Sequence, residues 1–266
     1  MHLRLVGQGI IAPGLPDWGV AAPVLSGTAP YAAAPMRPAP PQGLPMNERR
    51  RARLTTRIAM EAGRQATVVP GLPEPDRAHL QTVFASSDGD MQLIDAMCRD
   101  IYHHNVSPSP TNFQNSVHNA VAGYWAIAEG CRAASTSLAA ADGTFAAGLL
   151  EAATQVIAEV RPVLLVAFDA PAPPLLDPYR HFQAAFACAL LLGPPALGGD
   201  GLDLYVKLTD AADEAPTAMD DPGLEAMRTG NPAARALPLL RALALGGAHR
   251  LRLPYLDDLS LELQLS

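Results

Sequence analysis

At 266 residues the chain can bury a substantial core as one large domain or two small ones, and its formal net charge of -7 with no basic stripe excludes a role built on neutralising nucleic-acid phosphates. Hydrophobic residues make up 49% and aromatics only 5%, so the interior must be filled mainly by Ala, Leu and Val. Charged residues are 17%, a thin surface charge that leaves room for a large partner interface.

The segment His2–Ile11 alternates and then runs apolar, as an opening strand would. Residues 12–45 are rich in Pro, Gly and Ala; Pro35, Pro38, Pro40 and Pro45 break regular structure, so this stretch reads as a surface excursion. Asn47 is expected to cap a helix from Glu48 to Gly63 with Leu54, Ile58 and Ala62 on one face; the basic run Arg49-Arg50-Arg51-Ala52-Arg53 reads as its solvated side. A strand fits Leu80 to Ala85, and a helix fits Met91 to Tyr102 with Leu93, Ile94, Met97 and Cys98 inward. Ser107-Pro-Ser-Pro forces an extended entry, after which Thr111 or Asn112 can cap a helix carrying Val117, Val121, Tyr124 and Trp125. Ser135 to Ala139 reads as a short buried strand, broken at a small-residue turn that opens into a helix from Gly143 to Ile157. Pro162 to Phe168 reads as a buried strand, and the segments 182–192 and 202–208 as a hairpin across Gly193-Pro-Pro. Residues 210–232 are loop-like, Ala233 to Leu245 is helical, and Leu251 to Leu265 supplies a last strand. Strands alternating with helices, then adjacent antiparallel pieces, imply an α/β fold with a mixed central sheet covered by helices on both faces.

The turn at Ala140-Ala141-Asp142-Gly143 is the most informative point of the chain. Strand-to-helix elbows hold a Ser or Cys with its tip exposed near helix amides. A carboxylate there is already charged near pH 7 and is a far poorer acyl acceptor than a thiolate. Its expected work is local, accepting amide hydrogen bonds at the start of the following helix. Ser135 and Ser137 alternate on the strand without a visible base and read as small packing residues. Cys131 precedes the strand, away from the elbow. His103, His104 and His118, with Cys98 and Cys131, match no metal-ligand spacing, so neither a metal nor another cofactor is expected. The cysteines at 98, 131 and 188 show no CxxC spacing, no apolar run reaches membrane-span length, and Met1 to Ile11 lacks a signal-peptide layout; a cytoplasmic location is the expectation.

Four pieces in order, Asn119-Ala-Val-Ala-Gly123, Gly130-Cys-Arg-Ala-Ala-Ser135, Ala140-Ala141-Asp142-Gly143 and Leu149-Leu-Glu-Ala-Ala153, resemble the nucleophile region of beta-ketoacyl-acyl-carrier-protein synthases. Ungapped counting from Asn119 puts Asp142 on that family's nucleophilic cysteine, and Ser107-Pro108 and Asp177-Pro-Tyr-Arg180 match flanking turns. The resemblance implies a thiolase-like half, truncated relative to full ketosynthases, in one domain over residues 1–266 with 209–266 as a divergent C-terminal portion. The two histidines of active synthases have no counterpart: His249, in Gly246-Gly-Ala-His-Arg, lacks their Thr-x-Gly-Thr approach. The pattern is most similar to the short chain-length-factor subunits of aryl-polyene (xanthomonadin-like) pigment pathways, which pair with a complete synthase fed by acyl-carrier protein. Asp142 is then a degenerate nucleophile position and no catalytic residue is expected, the alternatives being an active or decarboxylating ketosynthase-like acyltransferase that uses Asp142 or Cys131, or a purely structural assembly subunit. By the same resemblance Phe113, Gln114, Val117, His118 and Val121 are candidates to line the partner's acyl tunnel, with core packing of Phe113 and Val117 the competing reading. Tyr124 and Trp125 would anchor an interface or the core, and the Ser135 to Ala139 strand, with Ser135 and Ser137, would extend the sheet across to the synthase.

Overall fold

The computed structural model describes residues 1–68, 76–104, 106–180, 182–197, 201–210 and 215–266. Its strands are β1 (His2–Ile11), β2 (Gln81–Ala85), β3 (Ser135–Leu138), β4 (Val163–Asp169), β5 (Phe186–Gly193), β6 (Leu202–Asp210), β7 (His249–Leu256) and β8 (Leu259–Leu265). They form one eight-stranded sheet in the order β3-β2-β4-β5-β1-β6-β8-β7. β2 runs parallel to both β3 and β4, and the remaining pairings are antiparallel, so the sheet is mixed. The helices are α1 (Trp18–Leu25), α2 (Met46–Arg51), α3 (Leu54–Thr67), α4 (Met91–His104), α5 (Pro110–Ser116), α6 (Ala120–Glu129), α7 (Thr144–Glu159), α8 (Pro222–Thr229) and α9 (Leu237–Leu245). None of the described helices is long and apolar enough to cross a membrane.

The central strands β4 and β5 are buried along their whole length, as continuous apolar runs must be when both faces are covered. Side chains alternate between two cores. Val163, Leu165 and Ala167 meet Phe145, Leu149 and Val156 of α7 and Leu237 and Leu240 of α9, whereas Leu164, Val166 and Phe168 meet Ile58, Ala62 and Ala66 of α3 and Trp125 of α6. The thiolase-like α/β architecture expected from the sequence is therefore present.

Several local expectations need correction. The excursion at 12–45 contains α1, whose first turn is capped by Asp17 accepting from the Val20 amide. The helix expected over 48–63 is two helices broken at Ala52 and Arg53; Asn47 lies inside α2 and caps nothing. The break is held by Arg57 Nε donating to the Ala52 carbonyl at 2.8 Å and Arg53 Nε donating to Asp90 at 2.6 Å. Cys98 is exposed on α4, and Ile94 is only half-buried, while Leu93 and Met97 do point inward. The helix expected after Ser-Pro-Ser-Pro is again two, α5 and α6, and α5 is capped by Ser109 rather than Thr111 or Asn112. Pro110 in its first turn loses nothing, because that amide has no helical acceptor.

β5 and β6 are not a hairpin. β1 lies between them and pairs with both, Leu5 facing Leu192 on one side and Leu202 on the other. The segment 251–265 is itself a hairpin, β7 turning into β8 at Asp257 and Asp258. α8, capped by Asp221, interrupts the supposed loop at 210–232, and a 3-10 turn (Ala233–Ala236) precedes α9. The short strand at 135 is an edge strand with Ser135 exposed, not a buried one.

Candidate functional site

β3 leads through Ala139 and Ala140 into a tight 3-10 turn (Ala141–Gly143), and α7 starts at Thr144. Ala141 holds φ at +44°, a left-handed conformation that costs free energy for a residue with a Cβ and marks a strained elbow. The expected cap by Asp142 is absent. Thr144 satisfies the elbow's backbone in its place, its hydroxyl donating to the Ala141 carbonyl at 2.6 Å and accepting from the Ala140 amide at 3.0 Å. The Asp142 carboxylate turns instead to two guanidiniums, Arg180 Nη1 and Arg235 Nη2, each at 3.1 Å. Two nearby donors outcompete the helix amides because each is charge-assisted.

Arg180 is bound on three sides. Its Nε donates to Asp88 at 2.8 Å, its Nη1 reaches Asp142, and its guanidinium carbon lies 4.9 Å from the centre of the Phe182 ring. Burial disfavours its charge, but the two carboxylates more than offset this and hold its pKa above the ordinary arginine value. Arg235 is pressed the other way, chiefly by burial and further by Arg228 and Arg180. Beside the elbow, Asp142, Tyr179, Arg180, Phe182, Asn231 and Arg235 line a polar cavity of about 120 Å³. The C-terminal hairpin closes the opposite side: a Cβ on Gly143 would stand 2.2 Å from the Tyr255 carbonyl oxygen, so only glycine lets β7 come this close.

A second acid lies deeper, at the end of β4. Asp169 is fully buried, and its Oδ1 accepts from Ser86 Oγ at 2.9 Å, the Ser87 amide at 2.8 Å and Ser87 Oγ at 2.9 Å. Its Oδ2 is buried with no partner among the described residues. Burial, reinforced by the nearby Asp88 charge, outweighs these hydrogen bonds and pushes its pKa up to about 7. The turn 86–90 that grips Asp169 also gathers the surrounding elements. The Ser86 carbonyl accepts from His118 Nε2 at 2.8 Å, Asp88 holds Arg180, and Asp90 holds Arg53. Sequence reasoning did not identify Asp169, Asp88 or Arg235. The one available signal for Asp169 was a single acid closing an otherwise apolar strand, Val-Leu-Leu-Val-Ala-Phe-Asp.

The expected interface residues divide into two sets. Phe113 is 65% exposed and Val117 44% exposed, with Gln114 also exposed on α5. Gln114, Val117 and Tyr124 come together with Ala120, Gly123 and Ile127 around an open cavity of about 170 Å³. His118 is half-buried and committed to Ser86. Val121 and Trp125 are core side chains of this chain, so they cannot present a surface to a partner. The Trp125 indole fills the space left by Gly63 of α3, where a Cβ would stand 2.9 Å from its ring, and meets Phe84 edge-on at 6.3 Å. Tyr124 is buried too, in a small cluster with Leu44, Ala52 and Met60, its hydroxyl donating to Asn115 at 2.8 Å. Ser135 Oγ accepts from Thr82 on the neighbouring strand at 2.8 Å, and Ser137 is half-buried. Among the described residues no group of three or more His, Cys, Asp or Glu side chains could hold a metal ion.

Solved structures share this fold. The complex of a ketosynthase (ApeO) with its chain length factor (ApeC) from Xenorhabdus doucetiae matches at 24% identity and a TM-score of 0.73, over 99% of this chain and 99% of the matched one. The AntDE:AntF complex, a type II polyketide acyl-carrier protein with its ketosynthase bound to the hexaketide, matches at 14% identity and a TM-score of 0.76, over 100% and 99%. A ketosynthase from the bacillaene synthase of Bacillus subtilis matches at 10% identity and a TM-score of 0.55, with 92% of this chain laid on 52% of the longer one. No curated protein matches the sequence. The model of the beta-ketoacyl synthase N-terminal domain matches residues 27–246, most of the sheet and the whole elbow, and the chain belongs to that family.

Proposed function

We propose that this chain is a non-catalytic, chain-length-factor-like subunit that pairs with a complete beta-ketoacyl-ACP synthase and shapes its acyl tunnel during polyene elongation, as in aryl-polyene pathways. The observation that carries this reading is the elbow itself. By the ungapped spacing of the resemblance, Asp142 occupies the place of the family's nucleophile, and its carboxylate, a far poorer acyl acceptor than a thiolate, is ion-paired with Arg180 and Arg235. The thiols lie elsewhere. Cys188 is buried in β5, where burial pushes its pKa far above the ordinary thiol value; Cys131 donates to the Leu80 carbonyl, and Cys98 is on α4.

The surface supports the pairing. β3 ends the sheet, and an unpaired strand edge is a template for another chain's strand. Phe113, Val117 and Ile127 expose apolar surface on α5, α6 and the segment joining them, and Gly123 opens the cavity that Val117 and Ile127 border, since a Cβ there would meet nothing within 4 Å. A glycine inside a helix costs about 1 kcal/mol, and nothing among the described residues requires it at 123. Close approach from outside, by the synthase or its acyl chain, accounts for it. The synthase carries the covalent chemistry, and acyl-carrier protein delivers substrate to it. Co-expression with a complete synthase should yield a copurifying complex, and enlarging Val117 or Gly123 should shorten its product. A stable monomer with no affinity for a synthase, or unchanged product length in a complex that does form, overturns the reading.

A further inference from the structure

Of the two guanidiniums at the elbow, one is held independently of the carboxylate between them and the other is carried on an anchored turn. Arg180 keeps Asp88 and the Phe182 ring whatever stands at 142, and its Nη2 is buried without a partner among the described residues. Arg235 rides on a turn pinned by Asn231, whose Oδ1 accepts from the Ala233 amide at 2.9 Å and whose Nδ2 donates to the Ala184 carbonyl at 2.9 Å. Two preorganised cations converging on one point constitute an anion site, and without an anion they repel one another. The adjoining cavity of about 120 Å³ has room for a small carboxylate, given about 30 Å³ per water.

We propose that Asp142 is an internal counter-ion filling a two-arginine anion site, and that the filled site fastens the C-terminal portion of the chain to the elbow. The site's chemical preference is for a small monocarboxylate, which Asp142 supplies from within. A serine at 142 would leave the two arginines facing each other across an empty site. Arg235 belongs to the C-terminal portion and Arg180 to the segment after β4, so the Asp142 carboxylate ties both to the elbow, and Asp88 in the turn after β2 joins the network through Arg180. The inference rests on this geometry and not on the pairing with a synthase.

The test is chemical rescue. Asp142→Ala should melt about 2–4 °C below the wild type in sodium chloride, the shift expected for roughly 1 kcal/mol in a chain of this size. Replacing chloride with formate at constant ionic strength should restore most of that loss, leave the wild type unchanged, and do nothing for Asp142→Ala/Arg235→Ala. Amide hydrogen exchange should rise at 231–236 in the single variant and fall again in formate. Should the alanine variant not fold, Asp142→Ser, which also vacates the site between the two arginines, takes its place. A variant as stable as the wild type, a loss that formate does not restore, or equal rescue of the double variant overturns the proposal.

Discussion

Replacing Asp169 with Asn should change how the stability of this protein responds to pH. In the folded chain burial raises the Asp169 pKa to about 7, whereas an unfolded aspartate titrates near 4. Between those values the unfolded chain has released this proton and the folded chain still holds it. Folded stability therefore falls as pH rises through about 4 to 7, and the whole penalty is present above that window. Three pKa units correspond to about 4 kcal/mol, an upper figure for one buried carboxyl. Asn cannot ionise, and its Oδ1 can still accept from Ser86 and Ser87 as Asp169 does. Its amide nitrogen would occupy the place of the unpartnered Oδ2, a cost of about 1–3 kcal/mol that does not vary with pH. Denaturant unfolding of both proteins at pH 5 and pH 8 isolates the effect, because every other titrating group cancels in the difference. The wild type should lose about 2–3 kcal/mol more than the variant between the two pH values, because about one of the three units is already spent at pH 5. Parallel pH profiles would refute the assignment of a proton to Asp169 in the folded state.

Trp125→Ala should cost about 3–5 kcal/mol by denaturant unfolding, because the indole is nearly fully buried between Gly63 and Phe84; a loss below about 1 kcal/mol would contradict its place in the core. Thr144→Val should cost about 1–3 kcal/mol in the same assay, since it strands the Ala140 amide and the Ala141 carbonyl, and Thr144→Ser should recover most of it. Phe113→Ala should leave the melting temperature of the isolated chain within about 2 °C of the wild type, because the side chain is largely exposed, yet weaken capture of a co-expressed synthase; a large drop in stability would move Phe113 into the core.

The parts of the fold that could be read from sequence are those whose signal is local. Continuous apolar runs marked β4 and β5 as strands covered on both faces, and the small residues at 139–143 marked the elbow. Pairing order was not local. Phe186–Gly193 and Leu202–Asp210 look like a hairpin because they are neighbours in sequence and both apolar, but β1 from the other end of the chain separates them. Its insertion is a long-range event that no window of residues records. The break between α2 and α3 was hidden for a related reason. Ala52 and Arg53 are good helix formers, and the turn there is imposed by Arg57 and by Asp90 from a distant loop.

The candidate site shows the same division between position and partner. Ungapped spacing singled out Asp142, but the work assigned to it, capping α7, followed from sequence proximity to that helix. The charges that claim it come from residues 38 and 93 positions away, and a guanidinium at 3.1 Å outcompetes a backbone amide for a carboxylate. Once Asp142 faces the arginines, Thr144 must satisfy the elbow's backbone, and it does so with one hydroxyl used as donor and acceptor together. Asp142, Thr144 and Gly143 are therefore one solution to a single constraint, the closeness of the C-terminal portion of the chain. Tyr255 leaves no room for a side chain at 143, Arg235 brings a positive charge to 142, and the cap is pushed on to 144.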